Sequence, residues 1–387
     1  MKTTKLFKEF FESEKSGGLT LIACTVISLL VANSTMGADY HHFWTTLFAG
    51  QTIEHWVNDG LMTIFFLLIG LELEREVYVG ELSNIKDALL PIFGALGGMI
   101  VPAGIYLWFN FGTETQSGAG IPMATDIAFA LGILSLLGNK VPLSLKIFLT
   151  ALAVIDDLAA ILIIAIFYTK TILWSNLFIA FGIFALLIVL NRIKIKNLFP
   201  YLIGGVAMWY FMLHSGVHAT ITGVLLAFAI PFGNGDEKST SYILQHFLHK
   251  PVAFIVLPIF ALANTAIAIN SDIAQTLTQN YSVGIALGLV VGKPLGIFIL
   301  SFAAVNFGLC KLPSDLNWKS IVGAGMLAGI GFTMSIFITL LAFENETIIN
   351  NAKFVILLSS LLAGLIGYFV LQTTLKKEIV LDHQKSF

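Results

Sequence analysis

Apolar runs of about twenty residues recur along almost the whole chain, and this repetition restricts the fold more than any other feature. A helix needs about 20 mainly apolar residues to cross the hydrocarbon layer of a bilayer. Twelve windows fit that measure: 17–35, 56–74, 88–109, 119–138, 143–169, 171–191, 198–213, 215–232, 251–270, 282–309, 319–343 and 352–375. Charged residues make up only 11% of the chain and hydrophobic ones 57%, against about 25% charged in a soluble domain. Much of the surface must therefore face lipid. The expected fold is an all-α polytopic membrane protein of about 12 transmembrane helices, forming a single transmembrane domain over 1–387. No connection is long enough for a catalytic domain outside the membrane; the longest are about 36–55 and 233–250. A net charge of −2 gives no reason to expect a nucleic-acid partner.

The basic residues orient this topology. Of the 21 Lys and Arg, eighteen fall on one side, including Arg75, Lys86, Arg192, Lys194, Lys196, Lys311 and the tail. Only Lys170 and Lys353 fall on the other, and Lys293 lies inside a span. By the positive-inside rule both termini are cytoplasmic, with a short N-terminal segment 1–16 and a tail 376–387. The lysines before the run Leu19–Ala32 raise the alternative of a signal peptide. Glu9, Glu12, Glu14 and the many spans that follow favour a retained first helix. Cys24 and Cys310 are far apart and imply neither a disulfide framework nor a zinc site.

Charges inside the spans carry the functional signal, because each costs about 2.5–3.5 kcal/mol at the bilayer centre. Asp126 lies in GIPMATDIAFALG, Asp156 and Asp157 in LTALAVIDDLAAILII, Lys293 in LVVGKPLGIF, and Asp59 near the start of the second span. One reading is a structural salt-bridge network. A single lysine cannot neutralise three deep aspartates, however, and the surplus acid must carry a proton or a cation. Asp156 and Asp157 are neighbours and point about 100° apart on a helix, so one can face a cavity while the other reaches a partner such as Lys293.

Two spans also look broken. Gly118, Gly120 and Pro122 precede Thr125 and Asp126, and Gly323, Gly325, Gly329 and Gly331 interrupt the eleventh span. Unwound backbone at membrane depth is tolerated where it lines a wet cavity, and it frees the carbonyl and hydroxyl oxygens that a hard cation prefers. Paired interruptions point to the binding site of an inverted-repeat transporter. The glycines Gly284, Gly288, Gly292 and Gly296, every fourth residue, form a bare stripe that reads as a helix-packing surface.

The stretches WVNDGLMTIFFLLIGLELERE, IPMATDIAFALGILSLLGNKVPLSLKIFLTALAVIDDLAAI, LHSGVHATITGVLLAF and GKPLGI resemble the NhaA-type sodium/proton antiporters over nearly the whole chain. That family is itself a standard illustration of inverted repeats. The resemblance implies two interrupted crossing helices, spans 4 and 11, and ion and proton binding by Asp157 and Asp156. Asp126 and Thr125 match positions beside the site, Lys293 the lysine that pairs with Asp156, and Asp59 an acid toward the periplasmic passage. Na+ would sit at Asp157, Asp126 and Asp156. Exchange of cytoplasmic Na+, or Li+, for external H+ would be electrogenic, across a bacterial inner membrane and without a cofactor. Glu72, Arg75, Glu76, His246 and His249 match a pH-sensing cluster, although the same charges also suit a solvated helix end. Gln245 and Glu74 depart from the family there and put the pH threshold in question. His218 reads first as a hydrogen-bonded core histidine and second as an influence on the pH response; His214 reads as core. The segment from Met36 to His55 is shorter than in relatives whose β-hairpin makes a dimer contact, so a homodimer is expected only with a shortened contact.

Two other classes compete. An intramembrane aspartyl protease needs a GxGD pattern, which precedes neither Asp126 nor Asp156. A cation channel favours a symmetric ring of carboxylates or carbonyls, unlike an acidic cluster beside one lysine. Lithium or potassium in place of sodium stays open on residue types alone.

Overall fold

The computed structural model describes residues 5–169, 172–268 and 273–385. Lys170, counted above with the opposite loops, lies outside them, as do the first four and last two residues. Among the described residues the only strands form one tiny hairpin, Leu47–Phe48 paired antiparallel with Gln51–Thr52, and the rest is helix with its connecting turns. The short hairpin follows from the brevity of the segment between the first two spans: two-residue strands are all it holds.

The helices used below are α1 (Lys5–Ala32), α2 (Gly37–Thr45), α3 (Ile53–Tyr78), α4 (Ile85–Asn110), α5 (Ile127–Leu136), α6 (Leu143–Phe167), α7 (Trp174–Arg192), α8 (Phe199–Leu213), α9 (Ile221–Ala229), α10 (Thr240–Asn264), α11 (Asn280–Asn306), α12 (Trp318–Ala328), α13 (Phe332–Ala342) and α14 (Glu346–Lys385). Among the described residues, eight helices are long and apolar enough to cross a bilayer, or ten if each of two bent pairs counts as one span. One bent pair is residues Ser16–Ala32 with α2, turned by 114°; the other is α12 with α13, turned by 48°. The windows 198–213 and 215–232 hold the 15-residue α8 and the 9-residue α9. The second is cut short because the chain turns at Gly216, where φ is +84°. Hydropathy alone does not register such a turn, which glycine makes at little steric cost.

The chain divides into two compact units. One is built mainly from Thr20–Ser83 and Ile161–Ala268. In it α3 packs closely on α9: a Cβ at Gly223 would overlap the Thr63 carbonyl oxygen, and one at Gly70 would lie 2.6 Å from Ala227 Cβ. The other contains Asn84–Ala160 and the chain from 273 onward. Here α4 and α11 touch backbone to backbone, since a Cβ on either Gly97 or Gly296 would overlap the other residue's carbonyl. Gly288 and Gly292 face Pro122 and Pro102, so the glycine stripe is a packing surface. Pro91 and Pro102 lie within α4, as is tolerated in membrane helices whose neighbours satisfy the freed carbonyls.

Candidate functional site

The fourth and eleventh spans are both broken, and their breaks meet. The fourth runs as a 3-10 helix over Gln116–Met123, passes through extended backbone at Ala124 and Asp126, and resumes as α5. The eleventh stops at Ala328 and resumes at Phe332. The Asp126 amide donates to the Ile330 carbonyl at 2.7 Å, and the Thr125 hydroxyl lies 2.9 Å from the Ala328 carbonyl oxygen. Each break thus satisfies polar backbone exposed by the other, which lipid could not do.

Asp126 caps two helices at once. Its Oδ1 accepts from the Phe129 amide of α5 at 3.0 Å, and its Oδ2 accepts from the Thr333 amide of α13 at 3.0 Å and from the Thr333 hydroxyl. A carboxylate suits two helix N-termini because the unsatisfied amides there carry partial positive charge. Lys293 does the converse. Its Nζ donates to the Met123 carbonyl, at the end of the 3-10 segment, and to Asp156 Oδ2 at 2.6 Å. Lysine and aspartate are both fully sequestered, with side-chain exposures of 0%. The Thr125 hydroxyl lies 2.7 Å from the same Asp156 oxygen. Its single proton can serve either Asp156 or Ala328, not both.

Asp157 differs from its neighbours. It is 1% exposed, and neither of its carboxylate oxygens has a hydrogen-bond partner among the described residues; Asp156 Oδ1 is likewise unpartnered. The charged groups acting on Asp157 are Asp156, Asp126 and Lys293. Thr125, Asp126, Asp156, Asp157 and Lys293 therefore form one buried cluster with three open carboxylate oxygens. A buried carboxylate left without hydrogen bonds is costly, and a proton or a small hard cation removes that cost. No group of three or more His, Cys, Asp or Glu side chains converges as a metal site among the described residues. Asp126 is already committed to two helix ends, so the three aspartates do not form a ready-made cage, and a bound ion would draw on hydroxyl or carbonyl oxygens as well.

Asp59 belongs to the first unit, within a π-helical turn over Trp56–Leu61 at the start of α3. His55 Nε2 approaches its Oδ2 to 3.0 Å. The pH-sensor candidates also gather in the first unit, where α3 meets α10. Glu72 and His249 are buried with Oε1 and Nδ1 3.5 Å apart. The Arg75 guanidinium lies over the Tyr242 ring, 5.2 Å from its centroid, and His246 stacks near-parallel on that ring at 6.3 Å. Glu76 is half-buried on the same helix. His218 Nε2 lies 2.9 Å from the Tyr168 carbonyl oxygen, and His214 is exposed against Tyr210 instead of lying in the core.

Sequence reasoning missed Thr333, the double partner of Asp126, because a lone threonine in a glycine-broken span carries no distinguishing signal. It also missed Tyr242, whose aromatic face holds Arg75. Glu74, a departure from the family pattern, is buried at 5% exposure and its Oε2 has no hydrogen-bond partner among the described residues.

Comparison with known proteins accords with this geometry. The chain is 77% identical over 380 residues to the Na(+)/H(+) antiporter NhaA of Flavobacterium psychrophilum, covering 98% of this chain and 99% of the relative. It is 65% identical over 379 residues to the Na(+)/H(+) antiporter NhaA of Cytophaga hutchinsonii, with 98% of each covered. The identity to the protein of that name from Dechloromonas aromatica is 61% over 371 residues, with 95% of each covered. The sequence model of the family described as Na+/H+ antiporter 1 matches residues 8–371, and the chain, with its two interrupted helices and buried acidic cluster, belongs to that family.

Proposed function

We propose that this chain exchanges sodium for protons across the bacterial inner membrane, with Asp157 and Asp156 as the carriers. The observation that carries this reading is the Asp157 carboxylate, buried among apolar helices with neither oxygen hydrogen-bonded among the described residues. In a low-dielectric site its charged form needs a counter-ion. Na+ and H+ both supply one, and occupancy by either excludes the other. With Asp156 Oδ2 held by Lys293, Asp156 Oδ1 and both Asp157 oxygens are the oxygens open to sodium.

The cycle follows from this competition. Sodium enters the deprotonated site from the cytoplasm. The protein rearranges so that Thr125, Asp126 and the freed carbonyls complete the ion's shell. The site opens outward, protons displace sodium, and the protonated site returns. Release of Asp156 from Lys293 supplies a second proton site, so more protons enter than sodium leaves. Each net charge moved is worth about 2.3 kcal/mol per 100 mV, and the membrane potential therefore drives sodium out. The same cycle accommodates Li+. It requires no cofactor and breaks no covalent bond. Both termini lie in the cytoplasm, the spans number twelve in two inverted halves, and the short hairpin Leu47–Thr52 contributes to a homodimer. The cluster of Glu72, Arg75, Glu76, His246 and His249 sets the pH range, with a smaller contribution from His218, and Asp59 lies on the outward passage.

The test is reconstitution into vesicles with an imposed pH gradient, followed by sodium, lithium or potassium added separately at several pH values. Sodium is expected to collapse the gradient, and the Asp157→Asn protein to leave it intact. Full sodium-driven proton flux in Asp157→Asn would refute the assignment.

A further inference from the structure

The pair formed by His55 and Asp59 has a geometry suited to moving protons. As a whole the His55 side chain is 41% exposed and the Asp59 side chain 17%. His55 Nε2 is nevertheless buried and faces Asp59 Oδ2 at 3.0 Å. The exposure is therefore carried by the other atoms of the side chain. One ring nitrogen looks inward at a carboxylate while the rest of the side chain is partly exposed. The distance is that of an ion pair, but the approach is not aligned as a hydrogen bond, so the contact is loose enough to make and break.

The setting is polar and held by its neighbours. His55 lies in the first turn of α3, which directly follows the hairpin and is capped by the Thr52 hydroxyl, which accepts from the His55 amide at 3.1 Å. The Asp59 backbone is pinned separately: the Trp209 indole lies 3.4 Å from its carbonyl oxygen, and Trp56 stacks on Trp209. Asn58 is tied to Asn264 at 2.7 Å. These contacts fix the backbone of the π turn and leave the Asp59 carboxylate to His55, its sole side-chain partner among the described residues. The charges acting on the imidazole are those of Asp59 and Glu54. From α8 and α10 the facing groups are Trp209 and Asn264, which do not titrate. From α2, which also packs on this segment, Asp39, Tyr40, His41 and His42 add no charge interaction to those two.

We infer that His55 is a proton-transfer residue of the exchange reaction, taking protons at the N-terminal end of α3 and passing them to Asp59. The inference rests on the antiporter reading above. In the step, a proton adds to Nδ1, giving imidazolium. The proton on Nε2 then passes to Asp59 Oδ2, leaving a neutral imidazole and a carboxylic acid. No electrons move, and a ring flip or tautomer exchange resets the pair.

The experiment uses the full-length protein in vesicles oriented with one face outward. Sodium-dependent proton flux is measured while the pH is varied only on the face that holds the N-terminal end of α3. His55→Gln keeps a hydrogen-bonding side chain and cannot titrate; His55→Phe keeps ring volume and serves if the first variant is unstable. Both are expected to lose about three- to ten-fold in rate when that face is alkaline and protons are scarce. They should regain the unmodified rate when it is acidic, with an unchanged KM for sodium on the opposite face. Asp59→Asn should show the same profile, and the double variant should be no worse than either single one. A wild-type rate in His55→Gln at every pH, a loss equal at all pH values, or an additive double variant would overturn the inference. Absence of sodium-dependent flux in the unmodified protein would instead strike the antiporter reading itself.

Discussion

Replacing Lys293 by Met should destabilise the protein, and replacing Asp156 by Asn in the same chain should restore most of what is lost. At 2.6 Å and an effective dielectric constant of about 20, the Coulomb attraction within the pair is roughly 6 kcal/mol. Desolvating two ions costs several kcal/mol each, so the intact pair contributes little net stability. Removing one partner leaves the other charge buried and uncompensated, at a cost of about 3–5 kcal/mol. Lys293→Met also strands the Met123 carbonyl that Nζ now serves. A loss of this size lowers the melting temperature by roughly 4–6 °C for a chain of 387 residues. The double variant buries neither charge and should melt within about 1 °C of the parent, a coupling of about 3 kcal/mol or more. Thermal unfolding of the four proteins in detergent measures the cycle directly. The deficit of Lys293→Met should shrink as the pH falls, because a proton on Asp156 removes the orphaned charge. Additive losses in the double variant, or a single-variant loss that does not depend on pH, would refute the reasoning.

Three further outcomes follow from contacts at the breaks and in the packing. Thr333→Val removes the hydroxyl that donates to Asp126 Oδ2 and should cost about 1.5–3 kcal/mol, read as a lower melting temperature together with slower vesicle exchange; Thr333→Ser should retain most of both. Gly296→Ala should abolish stable expression because its Cβ overlaps Gly97, whereas Gly104→Ala, with open space around it, should express and exchange like the parent. Glu74→Met replaces a buried carboxylate that has an unpartnered oxygen and should raise the melting temperature by a few degrees, an outcome consistent with the cost of burying unpaired polar groups.

How much of this was legible in the sequence depended on how rare each signal is. Asp126, Asp156, Asp157 and Lys293 stood out because charge is scarce in apolar windows, and the structure gathers all four. Gly118, Gly120 and Pro122 marked one break and the glycines around Gly329 the other, since few residue types disrupt a helix. The partners that make the breaks work were not legible. Thr333 and Ser335 are two hydroxyl residues among many in the spans, and nothing local shows that one reaches Asp126 and the other the Ile121 carbonyl. Those contacts join residues more than 200 positions apart and exist only once the helices pack. Tyr242 was hidden for the same reason: its role as a platform for Arg75 depends on α10 lying beside α3. Residues 214–220 failed in another way, because the window 215–232 took in their short polar stretch with the apolar run that follows, while the backbone turned at Gly216.

The backbone contact between Gly97 and Gly296 has an evolutionary consequence. In an ordinary core, a larger side chain on one helix is offset by a smaller one opposite, and lineages drift through such exchanges. Here neither position has any atom left to give up, and each closes off the other. No second substitution at the partner can rescue a first, so the two sites should stay frozen together while the apolar residues around them diverge.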